Sequence, residues 1–255
     1  MIRRPPAKRA PGAFTLIELL ATIAIMALLL VAAVPALRAA RDSSLASRSS
    51  SNLRQLALAN LAYAADNGTF APAQDAKNRT RWHGARTGGT GAFDPRKGYL
   101  APYLGEDGNV KRCPLLTNLI ESGSFEEGTG GYGYNAAYVG GTPDDPFMPE
   151  KPSNLPHAAT TIMFATTAFA RGGGLQEYPY AEPFFFTTGG GTPQPSVHFR
   201  AHGRAIVAWC DGHVTSEPPT KVGGPNHYGG DNGEHQIGWL GPEEENGFWN
   251  PRRGL

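Results

Sequence analysis

The fold of this chain is decided by residues Gly12–Leu37, which read GAFTLIELLATIAIMALLLVAAVPAL. From Leu19 to Leu37 no residue is charged, and Glu18 is the only charged residue in the whole stretch. The run from Phe14 to Leu37 is 24 residues long. A membrane-spanning helix needs about 20 apolar residues to cross about 30 Å of hydrocarbon. The length therefore predicts one membrane-spanning helix near the N-terminus.

The residues before this run indicate its orientation. Arg3, Arg4, Lys8 and Arg9 precede it, and no acidic residue does. Basic residues stay on the cytoplasmic side, so we expect a cytoplasmic N-terminus, a single pass through the inner membrane and an exported body. A cleaved signal peptide is the alternative. However, the run is longer than the about 7–15 apolar residues of such peptides, and no small-x-small site ends it.

The composition excludes one class of partner. The chain has 255 residues with 33 Gly and 22 Pro, which indicates one loop-rich domain besides the helix. Its formal net charge is +1, and removal of residues 1–13 would leave 19 basic against 22 acidic residues. A nearly neutral surface has no general attraction for nucleic acid, so we expect no nucleic-acid partner.

The helix is expected to continue beyond the membrane. Residues 38–66 are rich in Ala, Leu, Arg and Gln, which are good helix formers, and Asp66-Asn67-Gly68 supplies a stop. Residues that recur at intervals of three and four lie on one face of this helix. They are Leu53, Leu56, Ala57, Asn60, Leu61 and Ala64. We predict one helix of about 50 residues, about 75 Å long at 1.5 Å per residue, whose second half packs on the exported body.

Strand signals dominate the second half of the body. The β-branched and apolar runs lie at residues 160–167, 184–188, 197–201 and 204–210. Asp211-Gly212 joins the last run to His213–Thr215, which predicts a hairpin with a type I′ turn, since that turn needs positive φ at both central residues. Alternation along the run places Ala205, Val207 and Trp209 on one side of the sheet. The expected fold class is α+β: a long helix packed on a small antiparallel β-sheet with long Gly- and Pro-rich loops.

A polar, glycine-rich stretch covers residues 75–98. Its basic residues are Lys77, Arg79, Arg81, Arg86, Arg96 and Lys97. A patch for an anionic polymer is one reading of these charges. We interpret the stretch as a solvated loop instead, because no aromatic-interleaved motif accompanies the charges except Trp82.

Two groups of His and Asp residues raise the question of a metal. They are His202, Asp211 and His213, and then His227, Asp231 and His235 at four-residue spacing. A metal site would use Asp211 and His213 as ligands. Calcium is expected ahead of zinc, because loop oxygens are plentiful. The alternative is that Asp211 has a role in the turn that accounts fully for its presence. Nucleophile elbows, phosphate-binding loops and paired catalytic carboxylates do not appear in the sequence, so we expect no enzyme activity and no cofactor.

The two cysteines are Cys113 and Cys210, in Arg-Cys-Pro and Trp-Cys-Asp-Gly contexts. Neither context is a metal-binding pattern. If the body is exported, the two can pair as a disulfide in an oxidising compartment. Two buried thiols are the alternative.

The hexapeptide Ala13-Phe14-Thr15-Leu16-Ile17-Glu18 resembles the cleavage and methylation motif of type IV prepilins and type II secretion pseudopilins. The resemblance implies that a prepilin peptidase cuts between Ala13 and Phe14 and that the new Phe14 amine is N-methylated. It further implies that Glu18 pairs with such an amine during filament assembly. Ala13 stands where the family usually has Gly. Pro35, the 22nd residue from Phe14, matches the proline that loosens and kinks pilin helices.

The body resembles the large pseudopilin-like family with a C-terminal H-x9-DG motif. The residues that carry this likeness are Asn52–Leu56, Arg112-Cys113-Pro114, Tyr132-Gly133-Tyr134-Asn135 and His202…Asp211-Gly212-His213. Eight residues separate His202 from Asp211, one fewer than in the family. The family often has a cysteine near Ser51. This chain has none there, so the resemblance implies that Cys113 pairs with Cys210.

Together these features predict a leader peptide at 1–13, a transmembrane half-helix at 14–37, an amphipathic half-helix at 38–66 and an exported body at 67–255. The resemblance implies a structural subunit of a type II secretion pseudopilus or type IV pilus-like filament. Its partners would be the prepilin peptidase and N-methyltransferase, other pilin-like subunits, the inner-membrane assembly platform and membrane lipid. A membrane-anchored binding module for a glycan or envelope partner is the second hypothesis. An exported metal-dependent enzyme is the third.

Overall fold

The computed structural model of the chain describes residues 15–88, 91–105, 110–117, 119–120, 126–185 and 193–253. The chain divides into two units, one that ends at Ser43 and one that begins at Ser44. The second unit contains the sheets and the last part of the long helix.

One helix, α1, runs from Leu16 to Asn67 over 52 residues and contains Pro35, which confirms the predicted long helix. It ends because Gly68 adopts a φ of +78° and donates its N–H to Ala64 O at 2.9 Å, a left-handed C-terminal cap. Within the second unit one face of α1 is buried, and it comprises Ser49, Leu53, Leu56, Ala57, Ala59, Asn60 and Ala64.

The strands of the body are short. They are β1 Thr80–Arg81, β2 Gly84–Ala85, β3 Tyr132–Tyr134, β4 Ile162–Thr166, β5 Phe169–Arg171, β6 Gly174–Gln176, β7 Val197–His198, β8 Ala205–Trp209, β9 Val214–Glu217, β10 Lys221–Val222 and β11 Ile237–Trp239. Short 3₁₀ helices cover Pro95–Lys97, Ala101–Tyr103, Pro152–Asn154 and Ala158–Thr160, and Glu244–Trp249 comprises two 3₁₀ turns separated by a kink. The central antiparallel sheet has the strand order β3-β4-β8-β9, and a second sheet has the order β10-β11-β7. The pairs β1–β2 and β5–β6 form separate two-stranded ribbons.

Strands β3, β4 and β8 of the central sheet are buried on both faces, whereas the edge strand β9 is partly exposed. Ala205, Val207 and Trp209 belong to one apolar cluster, whereas Ile206 and Ala208 belong to the cluster that includes the buried face of α1. This confirms the predicted alternation along the strand. The helix therefore covers one side of the sheet. The opposite side is covered by an aromatic cluster that includes Phe184, Phe199 and Trp249.

Strand β3 connects the sheet to α1 through two buried tyrosines. The Tyr132 hydroxyl lies 3.1 Å from Ser49 Oγ and accepts a hydrogen bond from Asn52 Nδ2 at 3.3 Å. The Tyr134 hydroxyl accepts one from Asn60 Nδ2 at 3.0 Å. Both tyrosines are fully buried, and a buried hydroxyl without a partner is costly. These contacts therefore favour one alignment of β3 along the helix.

The turn at Asp211-Gly212 corrects the prediction of a type I′ turn. Gly212 has a φ of +90°, but Asp211 has no positive φ. The Gly212 N–H donates to Trp209 O at 2.9 Å, and the Trp209 N–H donates to His213 O at 3.0 Å. The loop thus has three residues with glycine last, which is the arrangement of a turn followed by a glycine bulge.

A two-residue turn with positive φ at both positions occurs instead at His202 (+55°) and Gly203 (+73°). Ala201 and Arg204 flank it and exchange both backbone hydrogen bonds, at 3.0 and 3.1 Å. Histidine is among the non-glycine residues enriched at positive φ. The His202-Gly203 dipeptide is therefore the sequence signal for this turn.

The predicted strands are present in shortened form, with one exception. Residues 160–167, 197–201 and 204–210 contain β4, β7 and β8. Phe184 and Phe185 form a bend instead of a strand, and the rest of the predicted run at 184–188 lies outside the described residues. Phe184 is buried because its ring stacks on Trp239, with centroids 5.4 Å apart.

The middle residue of β3, Gly133, must be a glycine because its neighbours leave no room for a side chain. A Cβ on Gly133 would lie 2.5 Å from Thr167 Cγ2 and 2.6 Å from the carbonyl oxygen of Tyr180. We expect Gly133→Ala to lower the free energy of unfolding of the body by about 1–3 kcal/mol, since the backbone must shift. Urea denaturation followed by tryptophan fluorescence measures this. Gly173→Ala is the matched control, because a Cβ there meets nothing within 4 Å. Equal effects of the two substitutions would contradict the packing role.

Candidate functional site

The N-terminal end of α1 holds the Glu18 carboxylate against Thr15. The Thr15 N–H and hydroxyl both donate to Glu18 Oε2, at 2.9 and 2.8 Å, and the Glu18 N–H donates back to Thr15 Oγ1 at 3.3 Å. This reciprocal arrangement is a capping box, which satisfies backbone donors that a helix N-terminus leaves without partners. The spacing Thr-x-x-Glu is its sequence signal. The prepilin resemblance assigns Glu18 to assembly and does not by itself predict this cap.

The capping box constrains what else Glu18 can do. Within the described residues, the hydrogen bonds to its carboxylate end on Oε2, and Oε1 accepts none. Ala13 and Phe14, the predicted cleavage and methylation residues, lie outside the described part of the chain. The pairing of Glu18 with an amine, like the kink at Pro35, therefore stays a prediction.

The first half of α1 presents apolar side chains that nothing in the described chain covers. All residues from Leu16 to Leu37 are exposed, and Leu16, Ile17 and Val31 are about three-quarters exposed. By length and composition, α1 is apolar enough to cross a membrane. An apolar surface of this size marks contact with lipid or with another protein. It therefore fits a membrane anchor.

In the C-terminal hairpin, Asp211 and His213 bind each other. Asp211 Oδ1 accepts the His213 backbone N–H at 3.0 Å and lies 2.6 Å from His213 Nδ1. Burial raises the pKa of Asp211, but the two hydrogen bonds from His213 outweigh it, so the net pKa lies below the ordinary value. The His213 ring stacks on Trp209, with centroids 5.6 Å apart. Together these contacts stabilise the turn.

The same turn sits against the helix. A Cβ on Gly212 would lie 3.1 Å from Leu61 Cδ1, so the glycine permits both the positive φ and the close approach to α1. His202 occupies the two-residue turn at the other end of β8.

The predicted metal residues do not assemble a ligand set. Across the described ranges, no group of three or more His, Cys, Asp or Glu side chains comes together. This holds for Asp211 and His213 and equally for the His227, Asp231 and His235 series. The contacts of Asp211 and His213 with each other account for both residues.

Both cysteines are buried free thiols, so the Cys113–Cys210 bridge implied by the resemblance is absent. Cys113 Sγ lies 3.2 Å from Ser49 Oγ and accepts a hydrogen bond from Arg200 Nε at 3.4 Å. Burial raises the pKa of Cys113, but the Arg200 charge and the hydrogen bonds from Ser49 and Arg200 bring its net pKa below the ordinary value. For Cys210, burial and the nearby Asp211 charge both raise the pKa.

The different surroundings of the two thiols explain the missing bridge. Cys113 contacts α1 through Ser49, and this polar contact links the helix to the 112–114 segment. Cys210 instead belongs to the turn that follows β8.

Residues 81–86 correct the prediction of a solvated loop. Trp82, Arg81 and His83 are each at most 4% exposed. Arg81 forms an ion pair with Glu126, and its guanidinium lies 4.6 Å from the Phe93 ring centroid. The charge is buried because it has an acidic partner and an aromatic face, which offset the loss of water. None of these partners is near Arg81 in the sequence.

His83 is a neutral imidazole in this interior. Burial, with the Arg81 and Arg86 charges, lowers its pKa to about 3. Its ring lies 5.0 Å from the rings of both Trp82 and Phe93. Neither ring nitrogen has a hydrogen-bond partner among the described residues.

Two buried glutamates differ in how they are held. Glu177 Oε2 accepts the backbone N–H groups of Gly128, Thr129 and Gly130 at 2.9–3.0 Å. Its Oε1 lies 3.2 Å from Arg112 Nη2, in an ion pair without hydrogen-bond alignment. Glu182 accepts only the Tyr178 hydroxyl on its carboxylate, at 2.9 Å, within the described chain. Burial therefore raises the pKa of Glu182 to about 7, although the Tyr178 hydrogen bond opposes the rise.

The raised pKa of Glu182 makes stability depend on pH. Its ordinary pKa is 4.5, so between about pH 4.5 and 7 the folded chain binds one more proton than the unfolded chain. The free energy of unfolding from this group is highest below that window and falls as pH rises through it. At pH 8 we expect the free energy of unfolding of Glu182→Gln to exceed that of wild type by about 1–3 kcal/mol. At pH 4.5 we expect the two free energies to be nearly equal.

Urea denaturation at the two pH values measures this difference. Glu177→Gln is the control, because it removes a carboxylate that has an Arg112 partner and three backbone donors, and we expect it to destabilise the body at pH 8, where Glu182→Gln stabilises it. If Glu182→Gln had the same effect at pH 4.5 and 8, the assignment of a raised pKa would be wrong.

Comparison with known proteins adds one finding at the N-terminus. The family described as prokaryotic N-terminal methylation motif matches residues 8–34, a segment that contains Ala13, Phe14, Thr15 and Glu18. No curated protein and no solved structure matches the chain. The resemblance of the body to the H-x9-DG family therefore stays a prediction. The chain carries a prepilin-type methylation motif at the head of an exposed apolar helix, which supports a prepilin-like structural subunit.

Proposed function

We propose that this chain is a filament subunit of a type II secretion pseudopilus or a type IV pilus-like assembly. The observation that carries the proposal is the methylation motif at residues 8–34, followed directly by a helix whose apolar half is exposed from Leu16 to Leu37. In this proposal the half-helix lies in the inner membrane before assembly and packs against other subunits afterwards. Removal of residues 1–13 by a prepilin peptidase and N-methylation of Phe14 prepare the subunit.

The structure of the body supports a structural role for the first half of α1. The body has its own buried core and does not use the residues from Leu16 to Leu37 to form it. This apolar surface is therefore free to move from lipid to other helices. We propose that the assembly platform, other pilin-like subunits and membrane lipid are its partners in turn.

We propose that Glu18 sets the register between subunits. The capping hydrogen bonds hold Oε2 on its own helix, which leaves Oε1 to meet the Phe14 amine of another subunit. Opposite charges about 4 Å apart attract far more strongly in an apolar surrounding than in water. Such a pair would offset the cost of a carboxylate inside the membrane.

The processing step gives the first test. We expect the mature chain, isolated from membranes of cells that contain a prepilin peptidase, to begin with N-methylated Phe14. Mass spectrometry of the N-terminal peptide measures this. The same chain from cells without the peptidase is the control and should begin at Met1. A terminus after Leu37 would indicate an ordinary signal peptide and overturn the proposal.

The two roles of Glu18 are separated by a pair of substitutions. Glu18→Gln keeps a capping side chain, since Gln serves at this position of a capping box, but it removes the charge. Thr15→Ala keeps the charge and removes the two hydrogen bonds of the Thr15 hydroxyl from the cap, at a cost of about 1 kcal/mol of helix stability. We expect Glu18→Gln to be processed normally but absent from filaments, and Thr15→Ala to assemble.

The measurement is the subunit content of the sheared filament fraction, with mass spectrometry of the N-terminus to verify that both variants are processed. The opposite result, assembly of Glu18→Gln and failure of Thr15→Ala, would show that the cap and not the charge matters.

A further inference from the structure

Strand β9 forms an open edge of the central sheet. Within the described residues it pairs with β8 alone. The Trp209 N–H donates to His213 O where the hairpin begins, and hydrogen-bonded and non-hydrogen-bonded pairs alternate along antiparallel strands. The backbone groups of Val214 and Ser216 therefore point away from β8. The described chain supplies no hydrogen-bond partner for the Val214 N–H and C=O groups or for the Ser216 N–H.

The Arg204 side chain occupies the remaining outward group of this edge. Its guanidinium donates to the Ser216 carbonyl oxygen from Nε, at 3.1 Å, and from Nη2. Nε also lies 3.3 Å from Ser216 Oγ, and Arg204 is exposed. Charged side chains on an edge strand discourage unselective pairing with other chains. A carboxylate can draw Arg204 away from this neutral carbonyl group, because hydrogen bonds between charged groups are stronger.

Apolar surface borders the β9 edge on both faces of the sheet. On the face that α1 covers, Leu58 is 53% exposed, and its Cδ2 lies 4.0 Å from the position of a Cβ on Gly212. On the opposite face, Glu217 lies beside Ala205, whose side chain belongs to the cluster with Leu240 and Phe248. A pocket of about 310 Å³ begins there, and its lining includes Glu217, Pro218, Leu240, Pro242 and Phe248. Side chains alternate between the two faces of a strand, so a strand added to β9 would bury apolar groups on both.

We propose that the β9 edge binds an extended acidic segment of another protein by strand addition. The backbone of the segment pairs with the outward groups of Val214 and Ser216, and its carboxylate takes the Arg204 guanidinium, which frees the Ser216 carbonyl group as well. An apolar side chain of the segment enters the pocket beside Glu217. The carboxylate belongs at Arg204 and not in the pocket, because Glu217 is itself acidic. This binding activity is additional to filament assembly and does not depend on cleavage before Phe14.

The test uses the isotope-labelled full chain in a neutral detergent and two synthetic peptides as probes. One peptide, blocked at both ends, has the sequence Ser-Val-Glu-Val-Thr-Val-Ser, and the other has Gln in place of Glu. We expect amide hydrogen exchange, followed by NMR, to be fast at Val214 and Ser216 in the free chain and slower with the Glu peptide bound. The Thr215 N–H points to β8 and should be protected in both states.

Two substitutions separate the backbone contacts from the charge. Ser216→Pro removes an outward N–H, which an edge strand tolerates, and should raise the Kd of both peptides at least about tenfold. Arg204→Gln keeps a donor for the Ser216 carbonyl group but removes the charge. We expect wild type to bind the Glu peptide about two- to fivefold more tightly than the Gln peptide, as an exposed ion pair allows, and Arg204→Gln to bind both equally. Arg171→Gln is the matched control and should keep the preference, because Arg171 is also exposed but belongs to β5.

Three results would overturn the proposal. The first is unchanged exchange at Val214 and Ser216 with both peptides. The second is equal affinity of wild type for the Glu and Gln peptides. The third is protection of the two amides in the free chain that grows with protein concentration, which would show that a second copy of this chain covers the edge. Circular dichroism melting curves verify that each variant is folded, and Arg204→Gln tests the charge even if Ser216→Pro does not fold.

Discussion

The hydrogen bonds between the tyrosines of β3 and the polar residues of α1 are the contacts on which the body depends. Tyr132 meets Ser49 and Asn52, and Tyr134 meets Asn60, so three helix positions align one strand. The next residue extends this alignment, because Asn135 Nδ2 donates to the carbonyl oxygens of Ile162 in β4 and Trp249 near the C-terminus, both at 2.9 Å. A stretch of four residues thus connects the helix, the sheet and the C-terminal segment.

This arrangement explains why the motif residues of the body are structural. Gly133 lets the carbonyl group of Tyr180 approach β3, and Gly212 lets the hairpin approach Leu61 of α1. Asp211 and His213 complete the same hairpin through their contact with each other.

The two units of the chain satisfy the hydrophobic effect in different ways. The body buries its apolar side chains in two clusters, one on each face of the central sheet. The residues from Leu16 to Leu37 remain exposed, and an apolar surface of this size marks contact with lipid or with another protein. The capping box at Thr15 and Glu18 satisfies backbone donors at the start of this helix, where no water is available if it lies in a membrane.

The sequence by itself determined the features that depend on neighbouring residues. The apolar run and the three-and-four spacing predicted α1 and its buried face, and alternation predicted the two faces of β8, because both periodicities are local. Tertiary structure alone decided the burial of Arg81 and His83. Glu126, the partner of Arg81, is distant in the sequence, and Phe93, which packs against both residues, lies across a loop. Tertiary structure also decided the free thiols, since Cys113 meets Ser49, and the type of turn at Asp211. These outcomes depend on which distant groups pack together, and no local spacing encodes that.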